Sequence, residues 1–304
     1  MFLIISIFVI IIGFEAGVAT AAEEPKLVFF YGNSVNTNHT YQLTEAVQIL
    51  HHHKFNKYQN SVLYIHGFVE SPLSGTVQSI VNAYIARRTY NILVLDWSAL
   101  VNGSYVTAVT NSIEVGPTIA RQLITLFGKG LNPWSLHIVG HSLGGQLAGI
   151  IGRSIIQLSA NHFKLRRISA LDPAFPGFYP PLNMTKPIDV NDAYLVDVIH
   201  TDAGNYGSPV YTGCVDFVVN SGTRFQPGCP VGNFTALSSD DTCSHQRSVA
   251  YWAESVSNRR RTFLATNSVF PIIKVNMGID CPLFVLRGTY SVVTNSVSPY
   301  SISP

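Results

Sequence analysis

Charge is scarce in this chain. Asp, Glu, Lys and Arg make up 12% of its 304 residues and leave a formal net charge of +2, about half the usual charged share. So small an excess gives no argument for a nucleic-acid partner, which draws on a strong basic field, and none is expected. Hydroxyl and amide groups must then cover much of the exterior, and such an exterior tolerates contact with lipid. Long apolar runs are scarce as well. Beyond Phe14 no stretch approaches the roughly 20 apolar residues that a membrane-spanning helix needs. There is no Pro/Ser-rich linker and no internal repeat. Residues 22–304 are therefore expected to form a single domain, large enough to bury about three quarters of its extended surface.

The chain opens on an uncharged apolar run, Phe2 to Phe14, then small residues ending Val18-Ala19-Thr20-Ala21. This reads as a secretory leader, residues 1–21, cut after Ala21. The competing reading, a membrane anchor, needs a longer apolar core. Four cysteines follow, Cys214, Cys229, Cys243 and Cys281, and an oxidising compartment favours their pairing. Three pairings are possible, and Cys229–Cys243 with Cys214–Cys281 is the one expected. Asn38, Asn102, Asn183 and Asn233 each open an N-x-Ser/Thr sequon, which fits glycosylation on the same export route.

Between these features, short apolar runs alternate with helical stretches. Strands are expected at 61–65, 91–95, 136–139, 167–171 and 194–199, with helices at about 77–88, about 106–127 and after residue 143. Runs without alternation suit strands buried on both faces, and alternation with helices implies crossover units and a mostly parallel sheet. Beyond Asn205 the pattern dissolves into Gly/Pro-rich loops and resumes in a helix near 245–255. Polar residues sit just after the strands: His66, Asp96, Ser142, Asp172 and His200. In open α/β sheets, sites form at that edge.

The sharpest pattern is Gly140-His141-Ser142-Leu143-Gly144. Strand, tight turn and helix around G-x-S-x-G predict a nucleophile elbow at Ser142. A side chain two residues to either side would collide there, and glycine removes it. A serine hydroxyl needs a base, and the base needs an orienting acid. In this arrangement the acid and then the histidine follow the serine in the chain. Asp172 comes directly after the next strand, ahead of the mid-strand Asp197 and the later Asp202. Of the histidines after Ser142, His162 lies in a polar connector, and His200 at a strand end suits a structural bond to a loop. His245 adjoins Cys243, whose disulfide would anchor it, and is the expected base. His141 is expected to point away from Ser142, and His51-His52-His53 reads as a polar loop rather than a metal site. The backbone N–H groups of Leu143 and Phe68 are the expected oxyanion donors. A histidine base predicts activity that fades below roughly pH 6–7.

These residues resemble the animal neutral lipase family, of pancreatic lipase type. The carriers are Tyr64-Ile65-His66-Gly67-Phe68, Leu95-Asp96-Trp97, the Ser142 elbow, Leu171-Asp172-Pro173-Ala174, Val196 to Asp202, and Cys243-Ser244-His245. The resemblance implies an α/β-hydrolase fold with Ser142, Asp172 and His245 as triad and Phe68 and Leu143 at the oxyanion positions. It implies a carboxylic ester hydrolase without a cofactor, acting on lipid at a membrane, micelle or droplet surface, with no stable protein partner. The chain looks similar to the secreted insect branch, which includes venom phospholipases A1. Gln226-Pro227-Gly228-Cys229-Pro230 resembles the segment opening the lid there. In the family, a short lid such as residues 230–242, with a short loop such as 203–212, accompanies phospholipase A1 activity. Longer versions accompany triacylglycerol lipases, which leaves a triacylglycerol or galactolipid lipase as the alternative. A yolk-like lipid-binding protein without chemistry is the third reading. No C-terminal β-sandwich is expected, and Cys214 falls where relatives lack cysteine. The family's calcium segment aligns with Pro187-Ile188-Asp189-Val190-Asn191-Asp192, where Pro187 replaces the usual arginine, so no bound metal is expected. Arg259-Arg260-Arg261 reads as a solvated cluster or a contact for anionic head groups.

Overall fold

The structure is a computed structural model and describes residues 24–258 and 263–302. The expected leader and the Arg259–Arg261 cluster lie outside the described residues. The elements run β1 (Lys26–Phe30), β2 (Asn38–Gln42), a 3-10 helix (Leu43–His51), β3 (Asn60–Ile65), α1 (Gly75–Arg87), β4 (Tyr90–Asp96), α2 (Tyr105–Gly128), β5 (Leu136–His141), α3 (Leu143–Leu158), β6 (Arg167–Leu171), β7 (Leu195–His200), β8 (Val215–Val219), α4 (Ser239–Ser257), β9 (Phe263–Asn267), β10 (Lys274–Met277) and β11 (Gly288–Val292). They form one 11-stranded sheet in the order β10-β9-β11-β8-β7-β6-β5-β3-β4-β1-β2.

From β4 through β3, β5, β6, β7 and β8 to β11 the neighbours are parallel. Antiparallel strands close both margins. The helices flank this sheet as two packed pairs, α1 with α4 and α2 with α3. Every residue of β5, β6 and β7 is buried, which is why those runs carry apolar residues without alternation. The chain places β4 on one side of β3 and then returns to set β5 on the other. Strand order reverses there, and a crevice opens beyond the strand ends at such a reversal.

The sequence pattern missed the strands after residue 205. Val215–Val219 forms β8 in the parallel sheet, and β9, β10 and β11 are four or five residues long with mixed exposure. Pieces that short, partly open to water, do not carry a readable period. The last helix also starts earlier than expected. Ser238 caps it, its hydroxyl accepting from Asp241 N, and Asp240 and Asp241 occupy the first turn. Both features favour a helix start, so His245 stands inside α4 rather than on a loop.

A buried ion pair fastens the C-terminal strands to the centre. Arg167 on β6 donates to both oxygens of Asp197 on β7, from Nε at 2.7 Å and Nη2 at 2.9 Å. Its remaining donors reach the carbonyls of Ile279 at 2.9 Å and Gly278 at 2.7 Å, just past β10. The guanidinium lies 5.5 Å from the Trp252 ring of α4. Ser169 donates to Asp197 and partners His137 Nε2 at 2.9 Å. Burial pushes the His137 imidazole well below its usual range, and the nearby Arg167 adds to the effect.

The cysteines correct one expectation. Cys229 and Cys243 are bonded, with Cα atoms 5.7 Å apart, but Cys214 and Cys281 are both free and buried. Each is fixed in its own surroundings. Cys214 is held by backbone bonds to Val196 and Gly288, with its sulfur 3.7 Å from the Val190 carbonyl. Cys281 lies by the Arg167–Asp197 pair, where burial and the Asp197 charge push its thiol up to about 12. All four sequon asparagines are exposed. No helix among the described residues is long and apolar enough to cross a membrane.

Two outcomes are expected. Titration with a thiol reagent should count the two free cysteines in unfolded, unreduced protein and almost none in native protein. Asp197→Asn strands a buried guanidinium and should cost about 3–5 kcal/mol in urea unfolding.

Candidate active site

Ser142 stands between β5 and α3 with φ 55° and ψ −122°, a left-handed backbone that is strained for a residue with a side chain. Neighbouring strands hold it there. Ser142 N donates to Leu171 O at 3.0 Å, and Ser142 O accepts from Ala174 N at 3.1 Å. The two motif glycines permit the turn. A Cβ at Gly140 would collide with the Gly144 carbonyl, and one at Gly144 with the carbonyl of Ile65 on β3. The expected reason for G-x-S-x-G is thus the observed one, a close backbone approach.

Asp172 follows β6 and is fully buried. Its Oδ1 accepts from the backbone N–H groups of Thr201 at 2.8 Å and Asp202 at 3.1 Å. Its Oδ2 lies 2.6 Å from His245 Nδ1. Gly207 makes room for this carboxylate, since a Cβ there would run into both of its oxygens. His245 projects from the second turn of α4, directly after the disulfide and Ser244. Ser142 and His245 line the same cavity of about 450 Å³, whose walls include Phe68, Tyr105, Leu182 and Leu237. Phe68 N donates to no acceptor among the described residues. Leu143 N opens α3, where helix geometry leaves N–H groups without intrahelical partners. Edge-to-face contact of the Phe68 ring with Tyr105, at 5.1 Å, lets that residue pack while its backbone remains available. The loop closed by Cys229–Cys243 contributes Ala236 and Leu237 to the cavity.

Other expected residues are placed elsewhere. His200 pairs with Asp216 at 2.8 Å, and that carboxylate also holds the backbone of Thr212 and Gly213, a structural bond to a loop as expected. His66 is buried against Trp97, and Asp96 caps Ser98. His162 is exposed. His52 departs from a plain polar loop, because its ring packs against Phe29 and Tyr31. His141 departs further. It does not turn away from the site, but lines the cavity with its ring 4.7 Å from that of His245.

Residues that the sequence did not single out complete the setting. Arg224 donates to both oxygens of Asp202, at 2.8 and 2.7 Å, and to Asp241 at 2.8 Å. The Tyr206 ring lies tilted at 5.5 Å from that of His245, and its hydroxyl donates to Asp241. Leu237 N, near the end of the lid loop, bonds Asp241 at 3.0 Å. Burial raises the Asp202 carboxyl, the Asp172 charge adds to the rise, and Arg224 opposes it. Only the sequence neighbourhood of Asp202 hinted at this group, since Arg224 and Asp241 reach it through folding alone.

Two acidic groups test whether a metal fits. Ligand atoms of Asp172, Asp202 and His245 lie within 4.8 Å of one another. Arg224 already occupies both Asp202 oxygens, and Asp172 is filled by backbone donors and the imidazole. In the aligned calcium segment, Arg153 donates to Asp192 at 3.2 and 3.0 Å and to the Pro187 carbonyl at 2.6 Å. Asp189 is taken by Asn191 and Lys186. A guanidinium stands where a divalent ion would need those oxygens, so the residues do not fit one.

Comparison with known proteins agrees with this geometry. The family model described as Lipase matches residues 17–282. Phospholipase A1 member A of Bos taurus is 32% identical over 221 residues, covering 71% of this chain and 46% of that protein. The Rattus norvegicus protein of the same name is 34% identical over 227 residues, with the same coverage. Pancreatic triacylglycerol lipase of Oryctolagus cuniculus is 28% identical over 264 residues, covering 80% and 55%. The chain thus spans about half the length of these relatives. Among solved structures, an alpha/beta hydrolase enzyme from a deep-sea metagenome overlaps 62% of this chain and 69% of its own, at 15% identity and a TM-score of 0.36. With the family model matching most of its length, and with a parallel sheet flanked by helices that presents a serine elbow, the chain belongs to the lipase family.

Proposed function

We propose that this chain is a secreted serine esterase that hydrolyses carboxylic esters of lipids, with phospholipase A1 as its specific activity. One observation carries the reading: the 2.6 Å contact of His245 Nδ1 with Asp172, beside a strained Ser142 that opens on the same apolar cavity. An imidazole that donates through Nδ1 keeps Nε2 free to accept a proton. Ser142 then attacks the ester carbonyl while His245 takes its proton. Asp172 orients the imidazole and stabilises its charged form. The N–H groups of Phe68 and Leu143 hold the oxyanion, each worth about 2.7–4 kcal/mol in comparable sites. His245 returns the proton to the leaving alcohol, a lysophospholipid in this reading. Water, activated by the same imidazole, next releases the fatty acid and restores Ser142.

The preference for the sn-1 ester of phospholipids rests on the short lid, residues 230–242, and the short loop 203–212. A small cover leaves the mouth open to a bulky head group. The relatives named phospholipase A1 member A point the same way, whereas the pancreatic triacylglycerol lipase match supports the second reading, a triacylglycerol lipase. Secretion is supported by the leader, by the Cys229–Cys243 disulfide, and by the exposure of Asn38, Asn102, Asn183 and Asn233, which are proposed glycosylation sites.

A fluorophosphonate should label the wild-type protein at Ser142, and Ser142→Ala should abolish both labelling and turnover. Labelling that survives this change overturns the assignment. Asp172→Asn should leave the fold intact and lower kcat by about 10⁴, the loss typical when the orienting acid is neutralised. Product analysis on a phosphatidylcholine with different acyl groups at its two positions should return the sn-1 acid ahead of the sn-2 acid. A higher rate on triolein than on this substrate favours the second reading instead.

A further inference from the structure

We propose that Glu70 is a positioning residue for ester cleavage: it locks the oxyanion loop onto the nucleophile strand and, through His141, sets a negative charge beside His245. The proposal rests on the reading above and deepens it.

Glu70 lies two residues beyond Phe68, and its side chain lines the cavity that holds Ser142 and His245. Its Oε2 accepts from Gly67 N at 2.7 Å and partners His141 Nδ1 at 3.3 Å. Its Oε1 accepts from the Thr76 hydroxyl in the first turn of α1. One carboxylate therefore joins the loop after β3, the start of α1 and the end of β5. The bond to Gly67 has a direct consequence for the oxyanion site. Only the φ and ψ of Gly67 separate its N–H from that of Phe68, and glycine by itself restrains neither angle. Fixing the Gly67 N–H restricts where the next donor can point, which is the preorganisation that oxyanion binding needs.

His141 carries the second part. Its Nδ1 partners Glu70, and its Nε2 is buried without a partner among the described residues. Its face lies 4.7 Å from His245, tilted by 43°. Other charged groups also stand near His245. Asp172 contacts it directly, while Asp202 is closed by Arg224, which also takes Asp241. Tyr206 faces it as an uncharged ring. Around Glu70 stand Tyr64 and His66 from the β3 side and His141 from β5. Burial pushes His66 towards its neutral form. Glu70 is the carboxylate on the His141 side, where its charge favours the imidazolium that forms as Ser142 attacks.

The ionised state of Glu70 is secure. Burial alone would raise its carboxyl, but His141, Thr76 and the Gly67 N–H outweigh burial and hold it near about 2. A carboxyl depressed on folding contributes stability above its unfolded value near 4.5, and that contribution is lost as the pH falls towards about 2.

Glu70→Gln separates charge from shape, because the amide oxygen can still accept from Gly67. The expected result is a fall in kcat of roughly tenfold with little change in KM. The acid limb of kcat/KM should move to lower pH by about half a unit, since losing a nearby negative charge disfavours the imidazolium. Glu70→Ala, which also frees Gly67, should lose roughly tenfold more and slow fluorophosphonate labelling in step. Wild-type kcat with an unmoved acid limb in Glu70→Gln overturns the proposal. So does a loss matched by loss of folded protein with the limb unmoved, because a purely structural role gives that result. If Glu70→Gln does not fold, Thr76→Val decides: a few-fold fall in kcat at constant KM supports the proposal, and unchanged kinetics overturn it. A wild-type protein that cleaves no ester sinks the functional reading and this inference together, whereas wild-type turnover with an indifferent Glu70→Gln sinks the inference alone.

Discussion

A carboxylate with no exposed surface meets an imidazole from 73 residues further along the chain. Burying an ionised carboxyl group is expensive unless donors surround it, and Asp172 has three: two backbone N–H groups from the end of β7 and Nδ1 of His245. The contact works only if α4 is delivered to the edge of the sheet at the right height. Three devices achieve that. Ser238 and the two aspartates of the first turn start the helix ahead of His245. The Cys229–Cys243 bond ties it to the segment after β8. Arg224 then links Asp241 on the same helix to Asp202, next to the backbone that holds Asp172.

The scarcity of charge takes on a different meaning once the fold is known. Many of the acidic residues lie inside rather than on the surface, and each has a basic partner. Asp192 has Arg153, Asp197 has Arg167, Asp202 has Arg224, Asp216 has His200, Asp172 has His245, and Glu70 has His141. The first pairs with guanidinium groups are fixtures that join strands and loops. The other three pairs set a carboxylate against an imidazole. Two of these lie side by side at the cavity, and their rings touch. The remainder of the cavity wall is largely apolar, which excludes water and strengthens each charge interaction near the serine.

Much of this was legible in the primary structure. The central strands were visible because burial on both faces demands unbroken apolar runs, as in Val62 to Ile65. The elbow was visible because the crowding of Gly140 and Gly144 against neighbouring backbone allows no side chain at either position. The chain order of Ser142, Asp172 and His245 followed from strand ends and from a neighbouring cysteine. The short outer strands β9, β10 and β11 were not visible, because partial exposure over four or five residues leaves no period to read. The partner of Cys214 could not be read either, since cysteines carry no label of distance, and the fold holds that thiol and Cys281 apart and unbonded.

By itself, the sequence determined the parallel core, the strained turn at Ser142 and the identity of the groups along the sheet edge. Each of these follows from local pattern, such as an apolar run, a glycine spacing or a polar residue after a strand. Only the tertiary structure decided the orientation of His141 towards the cavity, the capture of Gly67 by Glu70, the bridge from Arg224 to Asp202 and Asp241, and the occupation of Asp192 by Arg153. Those contacts join segments that are far apart in the chain. Their energies depend on distance and burial in the folded molecule, which no local pattern encodes.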